Sequence, residues 1–459
     1  MEYKKFLEKK LLFEKESGFT VNESSLNNRL FPFQKACVSW ALKKGSSALF
    51  EDCGLGKTAQ QLEWANQICK KEKKPILILS PLAVSLQTKQ EGKKFGIDVN
   101  VCASQDDVVT GINITNYEKL HKFKPKFVGI VIDESSILKA FSGKTRNQII
   151  EFSQGIPYRL ACTATPAPND FEEIGNHAEF LGVCTRTEML SMFFINDTAN
   201  CGTWRLKGHV RDNLFWKWMS TWALMFSKPS DIGFDDNGFI LPKIKYFEHI
   251  IPAIEKPKVG FFHLSGGQNL MDRKRVRQQT IESRTAKAAK IINDSKDAWV
   301  VWCGLNKESE MLSEKIEDCY EITGKQEDRV KSKLMIGFAE GKINRIVTKS
   351  KIAGRGMNWQ ICNKAAFVGL SDSWEDLYQA IRRIYRFGQK QQVEIHIFLE
   401  ERELAILENL KRKELNARHM IKNLIQCTKE FSKQELTKNT ENSKLYVARK
   451  GMVLPKWLK

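Results

Sequence analysis

Glu51-Asp52-Cys53-Gly54-Leu55-Gly56-Lys57-Thr58 follows a short apolar run, Ala48-Leu49-Phe50, and precedes a helical-looking segment from Ala59 to Lys70. Strand, glycine turn, Gly-Lys-Thr and helix, in that order, form the context in which a phosphate-binding loop is credible. Gly54 and Gly56, flanking Leu55, let the backbone curl until successive N–H groups point inward at phosphate oxygens. The helix N-terminus that follows adds partial positive charge. Lys57 would reach the β- and γ-phosphates, and the Thr58 hydroxyl would hold Mg²⁺. Glu51 is a departure, because it stands where the simple pattern wants its first glycine. Gly-Lys-Thr also occurs in ordinary surface turns, so the rest of the chain decides between the two readings.

Outward from the loop, short apolar strands alternate with helical stretches. The expected strands are 48–50, 76–79, 99–103, 112–115, 128–132 and 159–163. Continuous apolar strands separated by helices argue for a parallel sheet covered on both faces. The pattern breaks between about 170 and 245, where Trp204, Trp216, Trp218 and Trp222 cluster. Phe215, Trp218, Met219, Trp222 and Phe226 follow helical spacing, which predicts one aromatic helix. The alternation then resumes, with strands expected at 299–303, 345–348, 365–370 and 393–399. The division this predicts is an N-terminal extension (1–28), a first α/β domain (29–175), a helical insertion (176–241), a second α/β domain (242–400) and a basic helical extension (401–459).

The 459 residues are too many for one ordinary core, and 42% hydrophobic with 28% charged residues is the usage of a soluble globular protein. No apolar run approaches the roughly 18 residues needed to span a bilayer. Met1 to Lys10 alternates Lys and Glu without an apolar core, so no secretory signal is expected there. The formal net charge of +19 suggests a polyanionic partner. The 11 cysteines are widely and irregularly spaced, with no Cys-x-x-Cys pair, which predicts reduced thiols and no structural zinc.

Three further stretches carry candidate chemistry. Val131-Ile132-Asp133-Glu134 ends an apolar strand at the edge where open parallel sheets bind ligands. Asp133 there can hold Mg²⁺, and Glu134 can polarise the water that attacks a γ-phosphate. Thr163-Ala164-Thr165-Pro166 ends the next strand and offers two hydroxyls beside those carboxylates. In the second domain Gln379, Arg383 and Arg386 lie at i, i+4 and i+7, one face of a predicted helix that Gly388 would end. On that face the two arginines would neutralise charge on a transferred phosphoryl group.

Taken in order, these motifs resemble those of superfamily 2 helicases, most closely the Swi/Snf-type DNA translocases. Leu30 to Gln34 resembles the adenine-recognition motif, with Gln34 reading the base. Glu51 to Thr58 resembles the acidic variant of the family's phosphate loop, which accounts for Glu51. Ser80-Pro81-Leu82 and Thr115-Asn116-Tyr117-Glu118 resemble nucleic-acid motifs of the first domain. Gly354 to Asn358, including Gly356, and Gln379 to Gln389 resemble the last two motifs. The resemblance covers roughly 30–400. It implies two tandem RecA-like domains flanking an ATP cleft. It implies Asp133, Glu134, Lys57, Arg383 and Arg386 as catalytic groups, and Gly356 and Gln389 beside the nucleotide. It also implies Thr163, Thr165, Asn358 and Gln379 as coupling residues. Ser136 stands where the family usually has histidine, and Ala164 where the coupling motif has glycine.

The resemblance implies ATP and Mg²⁺ as cofactors and DNA, duplex rather than single-stranded, as partner, with a compact, monomeric form like phage or bacterial members acting in the cytoplasm and no membrane association. An RNA helicase and an ATP-regulated DNA-binding scaffold are the competing readings. The densest basic run, Arg273-Lys274-Arg275 with Arg277, reads either as a solvated helix face or as a phosphate-backbone contact. The aromatic helix reads as core, packed between the lobes, in preference to a base-stacking platform. None of these features reads sequence, so weak base specificity and strong salt dependence are expected.

Overall fold

A computed structural model describes residues 16–81, 84–197, 203–207, 214–252, 277–353 and 357–436. Fifteen strands are seen among them: β1 (Ser46–Glu51), β2 (Ile76–Ser80), β3 (Val99–Val101), β4 (Ile112–Asn116), β5 (Gly129–Asp133), β6 (Tyr158–Cys162), β7 (Phe194–Asp197), β8 (Thr203–Leu206), β9 (Ala223–Phe226), β10 (Ile244–Ile251), β11 (Trp299–Cys303), β12 (Cys319–Ile322), β13 (Arg345–Lys349), β14 (Lys364–Val368) and β15 (Val393–Glu400). A seven-stranded sheet has the order β3-β4-β2-β5-β6-β1-β9, and a six-stranded sheet the order β10-β15-β14-β11-β13-β12. Neighbouring strands within each are parallel. β7 and β8 form a separate antiparallel pair. Each parallel sheet is apolar on both faces, because helices cover both.

The helices that matter for the site are α1 (Pro32–Lys44), α2 (Lys57–Glu72), α3 (Ser85–Phe95), α4 (Lys144–Ser153), α5 (Ile174–Leu181), α6 (Arg186–Phe193), α7 (Leu214–Ser220), α8 (Ile281–Asn293), α9 (Asn306–Lys315), α10 (Asp328–Ala339), α11 (Ser350–Ala353), α12 (Trp374–Ile381) and α13 (Leu404–Leu436). None is long and apolar enough to cross a membrane among the described residues.

The predicted helical insertion is corrected in two places. It contains the β7–β8 hairpin, and its aromatic stripe is split between helix and strand. α7 stops at Ser220, where the Ser220 and Thr221 hydroxyls donate back to the carbonyls of Lys217 (2.8 Å) and Trp218 (2.7 Å). This ends the helix, because side-chain donors compete with the backbone ladder. Ala223-Leu224-Met225-Phe226, apolar and wholly buried, then pairs with β1 as the last strand of the first sheet. The segment therefore completes the first lobe. Phe215, Trp216, Trp218, Met219 and Trp222 all sit in that lobe's core, not between the lobes and not on a stacking surface.

A second correction concerns α12. It ends at Ile381, so Arg383 and Arg386 lie in the turns beyond it. The Gln379 carbonyl, which would accept from the Arg383 backbone in a continued helix, accepts the Arg383 Nε instead, at 3.0 Å.

Candidate active site in the cleft between the lobes

β1 delivers the phosphate loop and α2 leaves it. Gly54 and Gly56 have φ of 94° and 85°, values open to glycine at no steric cost. Gly56 is also fixed by crowding, since a Cβ there would meet Gln34 Nε2 at 2.3 Å. The Lys57 ammonium donates to the carbonyls of Glu51 (2.8 Å) and Asp52 (3.1 Å), across the mouth of the loop. Burial alone would lower the Lys57 pKa, but Cys53, Glu134, Glu51 and Asp52 around it raise it, so it stays cationic. Leu55 is buried under the loop and Thr58 is half-buried at the start of α2.

Gln34 is buried, with one hydrogen bond on each atom of its amide. Its Oε1 accepts the Phe31 N–H (3.0 Å) and its Nε2 donates to the Leu55 carbonyl (2.8 Å). It thus props the loop from behind. Phe31 and Phe33 of the same motif meet Phe239 edge-to-face, at 5.2 Å each, and Phe239 lies 4.7 Å from Phe387 of the second lobe.

β5 ends on Asp133. The Tyr117 hydroxyl donates to its backbone carbonyl, and Gln61 Nε2 of α2 donates to its Oδ1 at 2.8 Å. Burial and the adjacent Glu134 push the Asp133 carboxyl up to about 6. Glu134 takes a left-handed φ of 56°, unusual for a residue with a Cβ, which turns the chain sharply into Ser135. Two carboxylates side by side, with the Gln61 Oε1 buried and lacking a hydrogen-bond partner among the described residues, make an oxygen-rich, electron-rich pocket. That donor set fits a hard divalent cation such as Mg²⁺, held through a carboxylate, a hydroxyl and substrate phosphates.

Thr163 follows β6 and its N–H donates to the Leu49 carbonyl of β1 at 3.3 Å. Its Oγ1 accepts the Thr165 N–H at 3.1 Å, while the Thr165 hydroxyl is buried without a partner among the described residues.

From the second lobe, α12 enters the cleft. Gln379 Nε2 lies 3.4 Å from Glu134 Oε2. Glu375 accepts the Ser136 hydroxyl (2.6 Å) and pairs with Lys139. Tyr378 donates to Asp52, and Arg382 pairs with Asp52 Oδ1 (2.7 Å) and donates to the Cys53 carbonyl (2.7 Å). Burial lowers the Arg382 pKa, but Asp52, Tyr378 and Cys53 together raise it more and hold the guanidinium above its ordinary range. A Cβ on Gly54 would meet the Phe387 backbone N at 2.8 Å, so loop and second lobe are in van der Waals contact.

Lys57, Asp133, Glu134, Gln379 and the phosphate-loop glycines are therefore brought together as expected. Arg383 and Arg386 sit beside them, each donating to the Met357 carbonyl, at 3.1 and 3.2 Å. Burial and the neighbouring Arg383 push Arg386 down to about 10, still protonated at neutral pH. Asn358 caps its own turn by accepting the Gln360 N–H at 3.3 Å. Gln389 is corrected. Its amide is spent on the carbonyls of Gln360, Cys362 and Ile384, at 2.9, 3.0 and 3.2 Å, so it braces the turn and does not face a nucleotide. Arg277 is corrected too. Its guanidinium turns inward toward Glu308 (3.7 Å) and Glu403 (4.0 Å), in a buried cluster with Arg284. Gly356, Arg273, Lys274 and Arg275 lie outside the described residues.

The sequence reading missed Asp52, Glu375, Tyr378 and Arg382. Their signal was available in part: Glu375, Tyr378 and Arg382 fall at i, i+3 and i+7 on the helix already singled out.

Two RecA-like parallel sheets facing one another across a Gly-Lys-Thr loop and an Asp-Glu turn are the architecture of the helicase class. Residues 33–193 match the model of the SNF2-related domain, and residues 283–388 that of the helicase conserved C-terminal domain. Together these take in more than half of the chain, which belongs to the Swi/Snf-type family of superfamily 2 helicases. Among curated relatives, a Caenorhabditis elegans homolog of SWI/SNF-related matrix-associated actin-dependent regulator of chromatin subfamily A-like protein 1 is 32% identical over 163 residues, 32% of this chain and 23% of the relative. The DNA annealing helicase and endonuclease ZRANB3 of Bos taurus is 28% identical over 175 residues, 34% of this chain and 16% of the relative. The matched segments thus span less than a quarter of those relatives. Among solved structures, S. cerevisiae Dbp5 bound to RNA and ADP BeF3 covers 86% of this chain and 93% of its own at 12% identity, with a TM-score of 0.51, a likeness of fold. The Sulfolobus solfataricus SWI2/SNF2 ATPase core in complex with dsDNA covers 92% of this chain and 98% of its own at 19% identity, with a TM-score of 0.42.

Proposed function

We propose that this chain is an ATP-driven DNA motor that moves along duplex without reading its sequence. The observation that carries the reading is that one helix of the second lobe, α12, touches both the phosphate loop and the Asp133–Ser136 turn of the first. A cleft built this way opens and closes as one unit, and alternate closure on ATP and opening after hydrolysis steps two lobes along a polymer.

In this reading the amides of Gly54, Leu55 and Gly56 and the Lys57 ammonium bind the β- and γ-phosphates of ATP. Thr58 and Asp133 would hold Mg²⁺, which when bound would neutralise phosphate charge. Glu134 orients the attacking water and takes its proton, and Gln379 fixes the Glu134 carboxylate in place. Arg383 and Arg386 leave the Met357 carbonyl for the phosphoryl oxygens as charge develops there. Thr163, Thr165 and Asn358 pass the loss of the γ-phosphate between the lobes. Ser136, in place of the family's usual histidine, keeps an interlobe role through Glu375.

Steady-state phosphate release with duplex DNA, single-stranded DNA and RNA tests the reading. Duplex DNA is expected to stimulate turnover to about 1 s⁻¹ or more. Lys57→Ala and Arg386→Ala are expected to lower it by at least about a hundredfold. Variants that hydrolyse ATP as fast as the parent would sink the proposed site. Stimulation by RNA alone would overturn the choice of DNA, and flat phosphate release with ATP-dependent DNA affinity would turn the motor into a scaffold.

A further inference from the structure

Asp52 is an acidic residue inside a loop whose task is to hold anions, and no phosphate chemistry asks for it there. Its carboxylate is taken up by the other lobe. Oδ1 accepts its own loop's Cys53 N–H (2.6 Å), pairs with Arg382 (2.7 Å) and accepts the Tyr378 hydroxyl. Arg382 spans further, donating to the Cys53 carbonyl. Arg382 is almost wholly buried and the Asp52 side chain is 26% exposed, so the arginine's half of this ion pair is shielded from water, where losing its partner is costly. The polar contacts from Tyr378 and Arg382 use Asp52 and Cys53 alone, and none of them engages the Gly54–Gly56 amides or the Lys57 ammonium. One turn away on the same helix, Glu375 and Gln379 hold Ser136 and Glu134. These contacts lie on the phosphate loop and on the Asp133–Ser136 turn, the two sides of the proposed nucleotide site.

We propose that Asp52, Tyr378 and Arg382 form a positioning clamp that seats the phosphate loop against the second lobe before ATP arrives. This rests on the ATPase reading of the cleft and adds residues to it. Arg382 acts through Asp52 and not on the nucleotide, unlike Arg383 and Arg386. A preformed cleft spares ATP the work of closing it, so breaking the clamp lowers the fraction of molecules competent to bind. Apparent ATP affinity falls by that fraction while the chemistry, once the cleft is filled, is kept.

Two measurements test the clamp. In ATPase assays with saturating duplex DNA, Asp52→Asn and Arg382→Gln are expected to raise the KM for ATP about tenfold with kcat within about threefold. The double variant is expected to be no worse than the poorer single variant, since both remove one contact. Arg382→Lys, which keeps the charge, is expected to recover part of the loss. The second measurement is independent of turnover: spin labels on non-natural residues at the exposed Lys94 and Lys342 report lobe separation by pulsed EPR in nucleotide-free protein. The parent is expected to give one short distance, and the two single variants a broader, longer distribution. Parent-like KM and distances, or additive effects in the double variant, overturn the clamp. A fall in kcat at unchanged KM would instead make Arg382 a direct catalytic group, and would overturn it too. If the parent fails to hydrolyse ATP, the ATPase reading falls and the EPR distances alone decide the clamp. If the charge variants do not fold, Tyr378→Phe, which removes only the hydroxyl, carries both measurements.

Discussion

At the residue scale, Glu51 sets an unusual condition on stability. Its carboxylate is wholly buried at the end of β1, with Gln60 Nε2 donating to Oε2 at 2.8 Å and Oε1 lacking a partner among the described residues. Burial pushes its pKa up to about 7, against the lowering by Lys57 and Gln60. The folded pKa is thus above the unfolded value, so the folded state holds a proton that the unfolded chain has released. Stability from this group is whole below about pH 4.5 and is lost as pH rises through about 7. A shift of this size corresponds to on the order of 3 kcal/mol at pH 8.5. Glu51→Gln, which imitates the protonated form, is expected to be more stable than the parent by up to that amount at pH 8.5. The gap is expected to close as pH falls toward 4.5. Urea melts at the two pH values check it, and a gap that stays constant or grows in acid would show that the carboxylate is ionised in the fold.

At the element scale, α7 and β9 show how a short aromatic segment is used. Phe215 is fully buried and packs at 5.5 Å from both Phe193 and Phe194 and at 4.9 Å from Trp216. Phe215→Ala is expected to cost about 3–5 kcal/mol in unfolding free energy, and the neighbouring half-buried Lys217→Ala less than about 0.5 kcal/mol. A stacking platform would behave in the opposite way, with little loss of stability and weaker DNA binding for the aromatic variant. The same elements mark the limit of what the chain discloses on its own. Glu51–Thr58, Asp133-Glu134 and Gln379 were legible because each is a contiguous motif whose spacing carries its geometry. β9 was not, because four apolar residues after a helix look like more helix until β1 is seen to need a neighbour. β10 was missed because it is an edge strand with Lys245, Tyr246, Phe247 and Glu248 exposed in succession, so it lacks the apolar run of a buried strand, and β12 because it is only four residues long. The Asp52–Arg382 pair was hidden for a different reason: each half is an unremarked charge, and only the tertiary fold brings them within 2.7 Å.

At the scale of the whole molecule, the lobes are joined a second time, away from the nucleotide, by α13. At about 1.5 Å per residue its 33 residues reach about 50 Å, enough to span both lobes. Ile406, Leu407, Leu410 and Ala417 belong to the core of the second lobe, whereas Met420 lies in the core of the first with Ile421 against it. Among the second-lobe anchors, Lys413 donates to the Asp372 carbonyl of that lobe (2.9 Å) and to Asn169 Oδ1 beside the Thr163–Pro166 motif of the first (3.4 Å). A helix with apolar anchors in two cores couples their unfolding, because neither lobe can open without exposing part of the strap. The parent is therefore expected to unfold in one calorimetric transition. Met420→Asp places an unpaired charge in the first lobe's core, at a cost of several kcal/mol, and frees the strap there. It is expected to split the transition in two, with the first lobe melting earlier and the second, which keeps its four anchors, near the parent's temperature. Leu415→Asp, at an exposed position of the same helix, is expected to leave the single transition in place. A single transition in Met420→Asp, lowered as a whole, would mean that the contacts of α12 in the cleft couple the lobes without the strap. Two transitions in the parent would mean that neither link does.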